Sequence, residues 1–291
     1  MNSFADHFQQ SYVQSQSSPL STVTFSSVLC LSKFEEDVFK VLQKIKSKFI
    51  SGPDVVPAFI LNDCANAFAY PLTILFNLSL KLSIYPSLWK RSVIRPIFKN
   101  GDRTLIEKYR PISLMCNFSK VYEILLYDII CYCRPYISSF QHGFYKGRSI
   151  DINLCCFTQF VAESLNAESQ VDVIFTDISK AFDRLDHFIL LDKLNKFGLA
   201  DSLINLLSSY LIGRSQSVTC SNVSSVNINV SSGVPQGTVL GPLLFIIFIN
   251  DISENIESSC LLYTNDMKLF RRVNCVSDYL KLQNDLNLVS D

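Results

Sequence analysis

Scarcity of glycine is the feature that most constrains the backbone of this chain, because only nine glycines occur in 291 residues. An average protein has about 7% glycine, so positions suited to a positive φ or a close backbone approach are few here. Seven of the nine fall in four short stretches that also carry proline or polar residues, at 51–54, 100–102, 141–149 and 233–242. We expect these stretches to form tight turns that approach other parts of the backbone.

The overall composition indicates a folded protein. Hydrophobic residues make up 48% of the chain and charged residues 18%, which excludes a disordered or collagen-like chain. Basic and acidic residues number 26 each, so the net charge gives no indication of a nucleic-acid partner. The charge is unevenly spread, however, because residues 81–110 carry eight basic and two acidic side chains. This segment is suited to contacts with phosphate groups.

Cysteine spacing and the N-terminal sequence indicate where the protein resides. The ten cysteines form no C-x-x-C pair and no zinc-like spacing with the three histidines, which favours reduced thiols in an intracellular protein of the nucleus or cytoplasm. The N-terminus lacks the pattern of a signal peptide, so we expect a protein that is not secreted. The apolar run at 243–249 has seven residues, whereas a membrane span needs roughly 20, so we expect a core element and no membrane partner.

Hydrophobic periodicity predicts a mixed α+β chain. Apolar residues at three- and four-residue spacing predict helices over 34–49, 57–83, 119–133, 188–210 and 279–289. Period-two alternation predicts a strand at 171–175, a hairpin from 216–220 and 226–231, and a second hairpin from 260–263 and 267–270. Residues 1–30 are rich in Ser, Gln and Thr and are expected to be poorly ordered.

Two aspartates suggest a metal site. Asp177 is predicted at the end of a strand and Asp266 in the turn of the later hairpin. Carboxylates on neighbouring strands could share Mg²⁺ ions, which prefer hard oxygen ligands and stabilise phosphoryl transfer. From these two residues alone, an ordinary pair of turn aspartates remains an open alternative.

Ordered sequence motifs identify a family. The stretches at 175–183, 233–243 and 263–266 resemble the palm motifs of a reverse transcriptase, and most closely those of non-LTR (LINE-like, jockey-like) retrotransposons. Upstream, the stretches at 51–54, 89–90, 96–102, 109–113, 141–144 and 147–149 resemble the fingers of that family. The resemblance implies a right-hand polymerase fold, with helical and β-ribbon fingers at 31–170 and an antiparallel palm sheet with packed helices at 171–291. It also implies that the chain is truncated before the thumb.

The resemblance implies a reaction and its participants. The chain is expected to add dNTPs to a DNA primer on an RNA template with two Mg²⁺ ions, or Mn²⁺ in their place. The metal ligands would be Asp177, the main-chain carbonyl of Ile178, and Asp266, with the degenerate position Asn265 beside them. The remaining implied roles are nucleotide binding by Lys99, Arg110, Phe182, Gln236 and Gly237, and template or primer contact by Arg148 and Tyr263. For Arg148 a contact within the fingers, or an ordinary surface role, is equally open.

One departure from the family pattern bears on activity. The family's Tyr-Ala-Asp-Asp motif reads Tyr263-Thr264-Asn265-Asp266 here, so an amide replaces the carboxylate expected to bind metal most directly. We therefore expect polymerase activity to be severely reduced. Two alternatives stay open: a non-catalytic nucleic-acid-binding remnant of a decayed element, and an RNA-dependent RNA polymerase. The bulky ring of Phe182 disfavours the second, because it would exclude a ribose 2′-hydroxyl.

Overall fold

The computed structural model of the protein describes residues 2–13, 34–220 and 223–290. The α-helices in this part of the chain are α1 (Asn2–Gln9), α2 (Glu35–Lys44), α3 (Ala58–Asp63), α4 (Ala65–Leu82), α5 (Asn117–Ile130), α6 (Ile150–Asn166), α7 (His187–Lys196), α8 (Asp201–Leu211), α9 (Leu240–Phe248) and α10 (Val276–Ser290). The strands are β1 (Arg91–Phe98), β2 (Tyr109–Leu114), β3 (Gln170–Asp177), β4 (Arg214–Cys220), β5 (Val223–Ser224), β6 (Ile228–Val230), β7 (Ser259–Tyr263) and β8 (Asp266–Val273). The predicted α+β class is confirmed.

Contacts divide the chain into two compact units. Unit 1 comprises Met1–Arg134 and Phe182–Phe245, and unit 2 comprises Pro135–Ala181 and Ile246–Asp291. Each unit is therefore built from two separate stretches of sequence. The assignment of 31–170 to fingers and 171–291 to palm stays a prediction.

Unit 1 contains a sheet in the order β2-β1-β4-β5, with β6 also paired to β4. Strands β1 and β2 form an antiparallel hairpin, whereas β1 and β4 pair in parallel from Arg91↔Ser215 to Ile94↔Val218. The predicted hairpin of 216–220 and 226–231 is confirmed by the antiparallel pairing of β4 with β6. Because β1 alternates in burial, Ile94 is buried on one face and Arg95 is exposed on the other.

Large aromatic side chains fill the helical core of unit 1. The rings of Phe76 and Tyr122 stack at 4.6 Å, and Tyr85 packs edge-on against Tyr210 at 5.0 Å. The three tyrosine hydroxyl groups have partners within the core: Tyr122 donates to Ser79 at 2.9 Å, Tyr210 donates to Glu123 at 3.3 Å, and the Tyr85 hydroxyl lies 2.8 Å from that of Ser119. Buried Tyr hydroxyls normally find such partners, and this core therefore combines a large apolar area with satisfied polar groups.

The N-terminal segment differs from the prediction. Residues 2–9 form α1, and Ala5 and Phe8 are buried against Ile94, Val218 and Ile228 of the unit 1 sheet. The expectation of a poorly ordered segment is therefore wrong for residues 2–13, because the side chains of Ala5 and Phe8 provide enough apolar surface to pack a short helix on the sheet. Residues 14–30, the rest of that prediction, lie outside the described residues.

The predicted helices are confirmed with shifted ends. Helix α2 ends before residue 49, because the Asn62 side-chain amide donates to the main-chain carbonyls of Leu42, Gln43 and Ile45 and so terminates the helix there. The 188–210 helix divides into α7 and α8 around Gly198, whose φ is +80°. The 57–83 helix divides into α3 and α4 at Cys64.

Unit 2 contains an antiparallel sheet in the order β3-β8-β7, which confirms the predicted strand at 171–175 and the predicted hairpin of 260–270. Its core comprises Cys260, Leu262, Met267, Leu269 and Leu282, the last from α10. Helix α6, which packs on β3 and β7, was not predicted. Among the residues that the structure describes, no helix combines the length and the apolar character needed to cross a bilayer.

Candidate active site

The hairpin of β7 and β8 presents the Tyr-Thr-Asn-Asp motif at its tip. Tyr263 is the last residue of β7 and faces Asp266, the first residue of β8, across the ladder. Thr264 and Asn265 form a two-residue turn between them, and Thr264 has a φ of +63°. A left-handed residue is typical of the tight turns that suit the twist of a hairpin. Asp266 therefore begins a strand, whereas the sequence predicted it within the turn.

Asp177 lies directly opposite Asp266. Strand β3 pairs with β8 along its whole length, and the last Cα pair of this ladder is Asp177↔Asp266. Facing residues on antiparallel strands have Cβ atoms about 4.5–5.5 Å apart and point to the same side of the sheet. The structure thus brings together the two carboxylates that the sequence singled out.

Asn265 is bonded directly to Asp177. Its Nδ2 donates to Asp177 Oδ1 at 2.5 Å, and its main-chain carbonyl accepts the Ile178 N–H at 3.1 Å. The side-chain amide thus stands beside the carboxylate pair as a hydrogen-bond donor. An aspartate at this position would place a third negative charge there.

The donor set at this edge of the sheet fits a hard divalent cation. Asp177 and Asp266 supply carboxylate oxygens, which Mg²⁺ and Mn²⁺ prefer. Within residues 2–13, 34–220 and 223–290, no group of three or more His, Cys, Asp or Glu side chains is arranged to hold a metal ion. The two facing carboxylates are thus the acidic part of the donor set at this edge of the sheet.

In unit 1, the loop of residues 233–237 is bonded to the segment that follows β3. Val234 N donates to the Phe182 carbonyl at 2.8 Å, and Gln236 Nε2 donates to Asp183 Oδ1 at 3.1 Å. Gly233 has a φ of +81°, and a Cβ there would lie 2.5 Å from the Phe182 oxygen. The main chain thus excludes a side chain at position 233, and only glycine allows the loop to lie this close to Phe182.

Three of the predicted nucleotide-binding residues meet at this loop. The Phe182 ring stacks on Phe245 at 4.5 Å, which fixes its plane. The Gln236 carbonyl accepts the Ser113 N–H of β2 at 2.8 Å, so the loop is bonded to the β1–β2 hairpin. Gly237, with a φ of +100°, approaches the side chain of Ile112 on the same strand.

Lys99 and Arg110 lie on the β1–β2 hairpin. Arg110 pairs with Ile97, and the Lys99 N–H donates to the Lys108 carbonyl at 2.8 Å just beyond the ladder. Ile97 and Lys99 are two residues apart on an extended chain, so they share a face, which Arg110 also shares. Both basic side chains are exposed and therefore accessible to a phosphate group.

Arg148 bonds within its own loop. Its Nη1 donates to the carbonyls of Ser138 and Gln141, both at 2.6 Å, and its guanidinium lies 3.9 Å from the centre of the Tyr145 ring. These contacts fit the alternative of a contact within the protein. A contact between Arg148 or Tyr263 and the template or primer stays a prediction.

Glu123 is a buried residue to which the sequence analysis gave no role. It is 0% exposed on α5, and its Oε2 accepts the N–H groups of Val239 at 2.8 Å and Leu240 at 3.3 Å, at the start of α9. Burial raises the pKa of Glu123, and the nearby Arg214 opposes that rise. Glu123 thus fixes the end of the loop that carries Gln236. The sequence feature that indicates a special role for Glu123 is its position as the one carboxylate within the apolar run 121–126.

Comparison with known proteins agrees with this geometry. The family described as reverse transcriptase (RNA-dependent DNA polymerase) matches residues 97–290. The chain therefore belongs to the reverse transcriptase family, with its relatives among the RNA-directed DNA polymerases of non-LTR, LINE-like retrotransposons.

Individual relatives come from insect mobile elements. The chain is 29% identical over 256 residues to the probable RNA-directed DNA polymerase from transposon BS of Drosophila melanogaster, covering 84% of this chain and 28% of that protein. It is 31% identical over 222 residues to the probable RNA-directed DNA polymerase from transposon X-element of Drosophila melanogaster, covering 75% of this chain and 24% of that protein. It is also 29% identical over 253 residues to the RNA-directed DNA polymerase from mobile element jockey of Drosophila funebris, covering 83% of this chain and 28% of that protein.

These relatives are much longer than the chain, which spans 28% of the length of the first and 24% of the second. Among solved structures, the chain resembles apo telomerase from Candida tropicalis truncated from its C-terminal domain, with a TM-score of 0.49 and 12% identity. That similarity covers 79% of this chain and 52% of the telomerase chain.

Proposed function

We propose that this chain is a reverse transcriptase domain that binds dNTPs, a DNA primer and an RNA template, and that its polymerase activity is strongly reduced by Asn265. The observation that supports this proposal is the arrangement at the β3–β8 edge. Asp177 faces Asp266 across the ladder, and the Asn265 amide donates a hydrogen bond to Asp177.

In the proposed reaction, the primer 3′-oxygen attacks the α-phosphorus of a dNTP and pyrophosphate leaves. Mg²⁺ supplies electrostatic stabilisation of the attacking and leaving oxygens when it is bound. Asp177 and Asp266 provide its carboxylate ligands, together with the Ile178 carbonyl. Lys99 and Arg110 bind the triphosphate, since an ammonium and a planar guanidinium both suit phosphate oxygens.

Phe182, Gln236 and Gly237 select and support the nucleotide in this proposal. The stacking of Phe182 on Phe245 leaves the ring little freedom to move, so it can act as a rigid barrier to a 2′-hydroxyl. Gln236 and Gly237 form part of the floor, because the loop is bonded both to Asp183 and to Ser113.

Asn265 reduces activity through charge. A neutral amide contributes no negative charge toward divalent cations, and its N–H engages an oxygen of Asp177 that would otherwise be available to a cation. Loss of one principal electrostatic group commonly costs about 3 kcal/mol in the transition state, which is about a hundredfold in rate.

The test compares primer extension by the parent chain and by Asn265→Asp on an RNA template in Mg²⁺. We expect the variant to extend the primer about a hundredfold faster. Asn284→Asp, at an exposed position of α10, is the matched control because it makes the same change in charge. Extension by the parent at the rate of Asn265→Asp would refute the proposed impairment, and activity that survives Asp177→Asn in the Asn265→Asp background would refute the assigned site.

A non-catalytic nucleic-acid-binding protein is the second candidate. Two separate observations favour it: the β1–β2 hairpin of unit 1 has an exposed, basic face, and in unit 2 an amide stands next to the carboxylate of Asp177. Binding of a primer–template duplex is measured at several salt concentrations for the parent, Asp177→Ala and Lys99→Ala. Binding that persists in Asp177→Ala, weakens in Lys99→Ala and occurs without extension in the Asn265→Asp variant would favour this candidate.

A further inference from the structure

The segment of residues 140–143 runs beside β7. His142 N donates to the Leu262 carbonyl at 2.9 Å, and Leu262 N donates to the Phe140 carbonyl at 2.9 Å. Gln141 and Leu262 thereby form a parallel β-bridge. The segment extends the unit 2 sheet by one bridge, which places Gln141 next to the turn between Tyr263 and Asp266.

The Gln141 side chain bonds to both main-chain polar groups of Thr264. Its Oε1 accepts the Thr264 N–H at 3.0 Å, and its Nε2 donates to the Thr264 carbonyl at 3.3 Å. Oε1 also accepts the Gly143 N–H at 2.8 Å, and the residue is 2% exposed. Pairing both groups needs a donor and an acceptor on one side chain of this length, which a carboxamide supplies.

Thr264 needs such support. Its φ of +63° is unfavourable for a side chain branched at Cβ, so the turn depends on contacts from outside the hairpin to keep this conformation. Thr264 is followed directly by Asn265, which is bonded to Ile178 and Asp177. A continuous series of hydrogen bonds therefore runs from Gln141 through the turn to the proposed metal ligand.

Gly143 allows the segment of residues 140–143 to lie close to Thr264. A Cβ at residue 143 would lie 2.3 Å from Thr264 N and 2.5 Å from Thr264 Oγ1, so any side chain there would push the turn away. Asn153 supports the strand before the turn, because its Nδ2 donates to the Leu262 carbonyl at 3.2 Å while its Oδ1 accepts from Lys268 at 2.9 Å. Buried polar groups thus surround the turn on the side of Gln141.

We propose that Gln141 is a positioning residue: its carboxamide holds Thr264 in the left-handed conformation and so sets where Asn265 and Asp266 stand relative to Asp177. This inference rests on the proposed function, because it assigns Gln141 to the metal site of Asp177 and Asp266. Hydrogen-bond partners behind metal ligands commonly contribute about tenfold or more to metal affinity.

The test uses the full chain and measures two properties. Mn²⁺ binding is followed by the electron paramagnetic resonance signal of the free ion, and hydrogen exchange is followed for the peptide that covers the turn. The variants are Gln141→Met, which removes all three hydrogen bonds at similar length, and Gln141→Glu, which keeps the acceptor of the two N–H groups. Gln159→Met removes an exposed glutamine of α6 and is the matched control, and Asp177→Asn reports on the metal site itself.

We expect Gln141→Met to weaken Mn²⁺ binding about tenfold and to speed exchange at the turn in the metal-free protein. Gln141→Glu should recover most of the protection against exchange, whereas Gln159→Met should match the parent in both measurements. A merely structural role would lower the melting temperature and leave Mn²⁺ affinity unchanged in the folded protein.

Two results would overturn the inference, and they are distinguishable. If Asp177→Asn weakens Mn²⁺ binding but Gln141→Met does not, the positioning role is refuted while the metal site stands. If Asp177→Asn binds Mn²⁺ as the parent does, the proposed metal site fails, and the role of Gln141 fails with it.

Discussion

Replacing Phe8 by alanine is expected to detach the N-terminal helix from the unit 1 sheet. Phe8 is 5% exposed and packs with Ala5 against Ile94, Val218 and Ile228, which come from three different strands. Removal of the ring therefore leaves a cavity between α1 and the sheet. Because α1 lies on the face of β1 that is opposite to Arg95 and Lys99, its loss would expose the back of the hairpin that carries the basic side chains.

The expected magnitude follows from the burial of Phe8. Truncation of a buried Phe to Ala costs about 3–5 kcal/mol when the site cannot relax. Helix α1 has eight residues and can come away from the sheet, so the loss is limited by the free energy of docking. We take the lower end, about 3 kcal/mol, which corresponds to about a hundredfold rise in the undocked fraction.

Hydrogen exchange of residues 2–13, measured by mass spectrometry, reports on this fraction directly. Phe34→Ala is the matched control, since its ring is 71% exposed. We expect faster exchange in Phe8→Ala both at residues 2–13 and at β1, with the parent rate in Phe34→Ala. Equal exchange in the two variants would show that α1 is not held by the Phe8 contact.

Three further predictions concern stability. Burial lowers the pKa of His187, so the stability that this residue contributes is complete above the unfolded pKa of about 6.5 and is lost as pH falls through the folded pKa. Between pH 7.5 and 5 the melting temperature should therefore fall less in His187→Gln than in the parent. Parallel curves of melting temperature against pH for the two proteins would contradict this. Glu123→Leu should lower the free energy of unfolding, measured in urea, by about 2–4 kcal/mol, because the N–H groups of Val239 and Leu240 lose their acceptor. A loss under about 1 kcal/mol would argue against a stabilising role of these two hydrogen bonds. Gly52→Ala should lower the free energy of unfolding by about 2 kcal/mol or more, because its Cβ would lie 2.4 Å from Cys116 N. Gly147→Ala is the control: its Cβ would meet no atom within 4 Å, so it should cost only the strain of its positive φ, about 1 kcal/mol. Equal unfolding midpoints for the two variants would refute the clash at Gly52.

Local patterns predicted the unit 2 sheet well. Alternation over 171–175 and the turn residues at 264–266 specify strands and a hairpin without reference to distant residues, although Asp266 itself belongs to the second strand. That Asp177 faces Asp266 then follows from the pairing of β3 with β8. Periodicity alone could not predict that pairing, because nothing local in either strand identifies its partner.

Features that depend on distant partners could not be predicted. Helix α6 shows no apolar stripe directed at a core, because Ile152 and Leu154 are exposed while Asn153 is buried. Gln141 belongs to a recognised motif, but its contact with Thr264 spans 123 positions of sequence. Side-chain caps such as Glu123 on α9 are likewise set by tertiary packing, which hydrophobic periodicity does not report.

The parallel pairing of β1 with β4 has a consequence for synthesis on the ribosome. Strand β1 is complete at Phe98, but its neighbour β4 begins at Arg214, so more than a hundred residues must emerge before that edge of β1 is covered. During this interval the edge is open to pairing with other chains, and delayed closure of this kind favours aggregation. Recombinant production should therefore gain more from slower translation or from chaperones than from a fragment that ends at Arg134, which would lack β4 altogether.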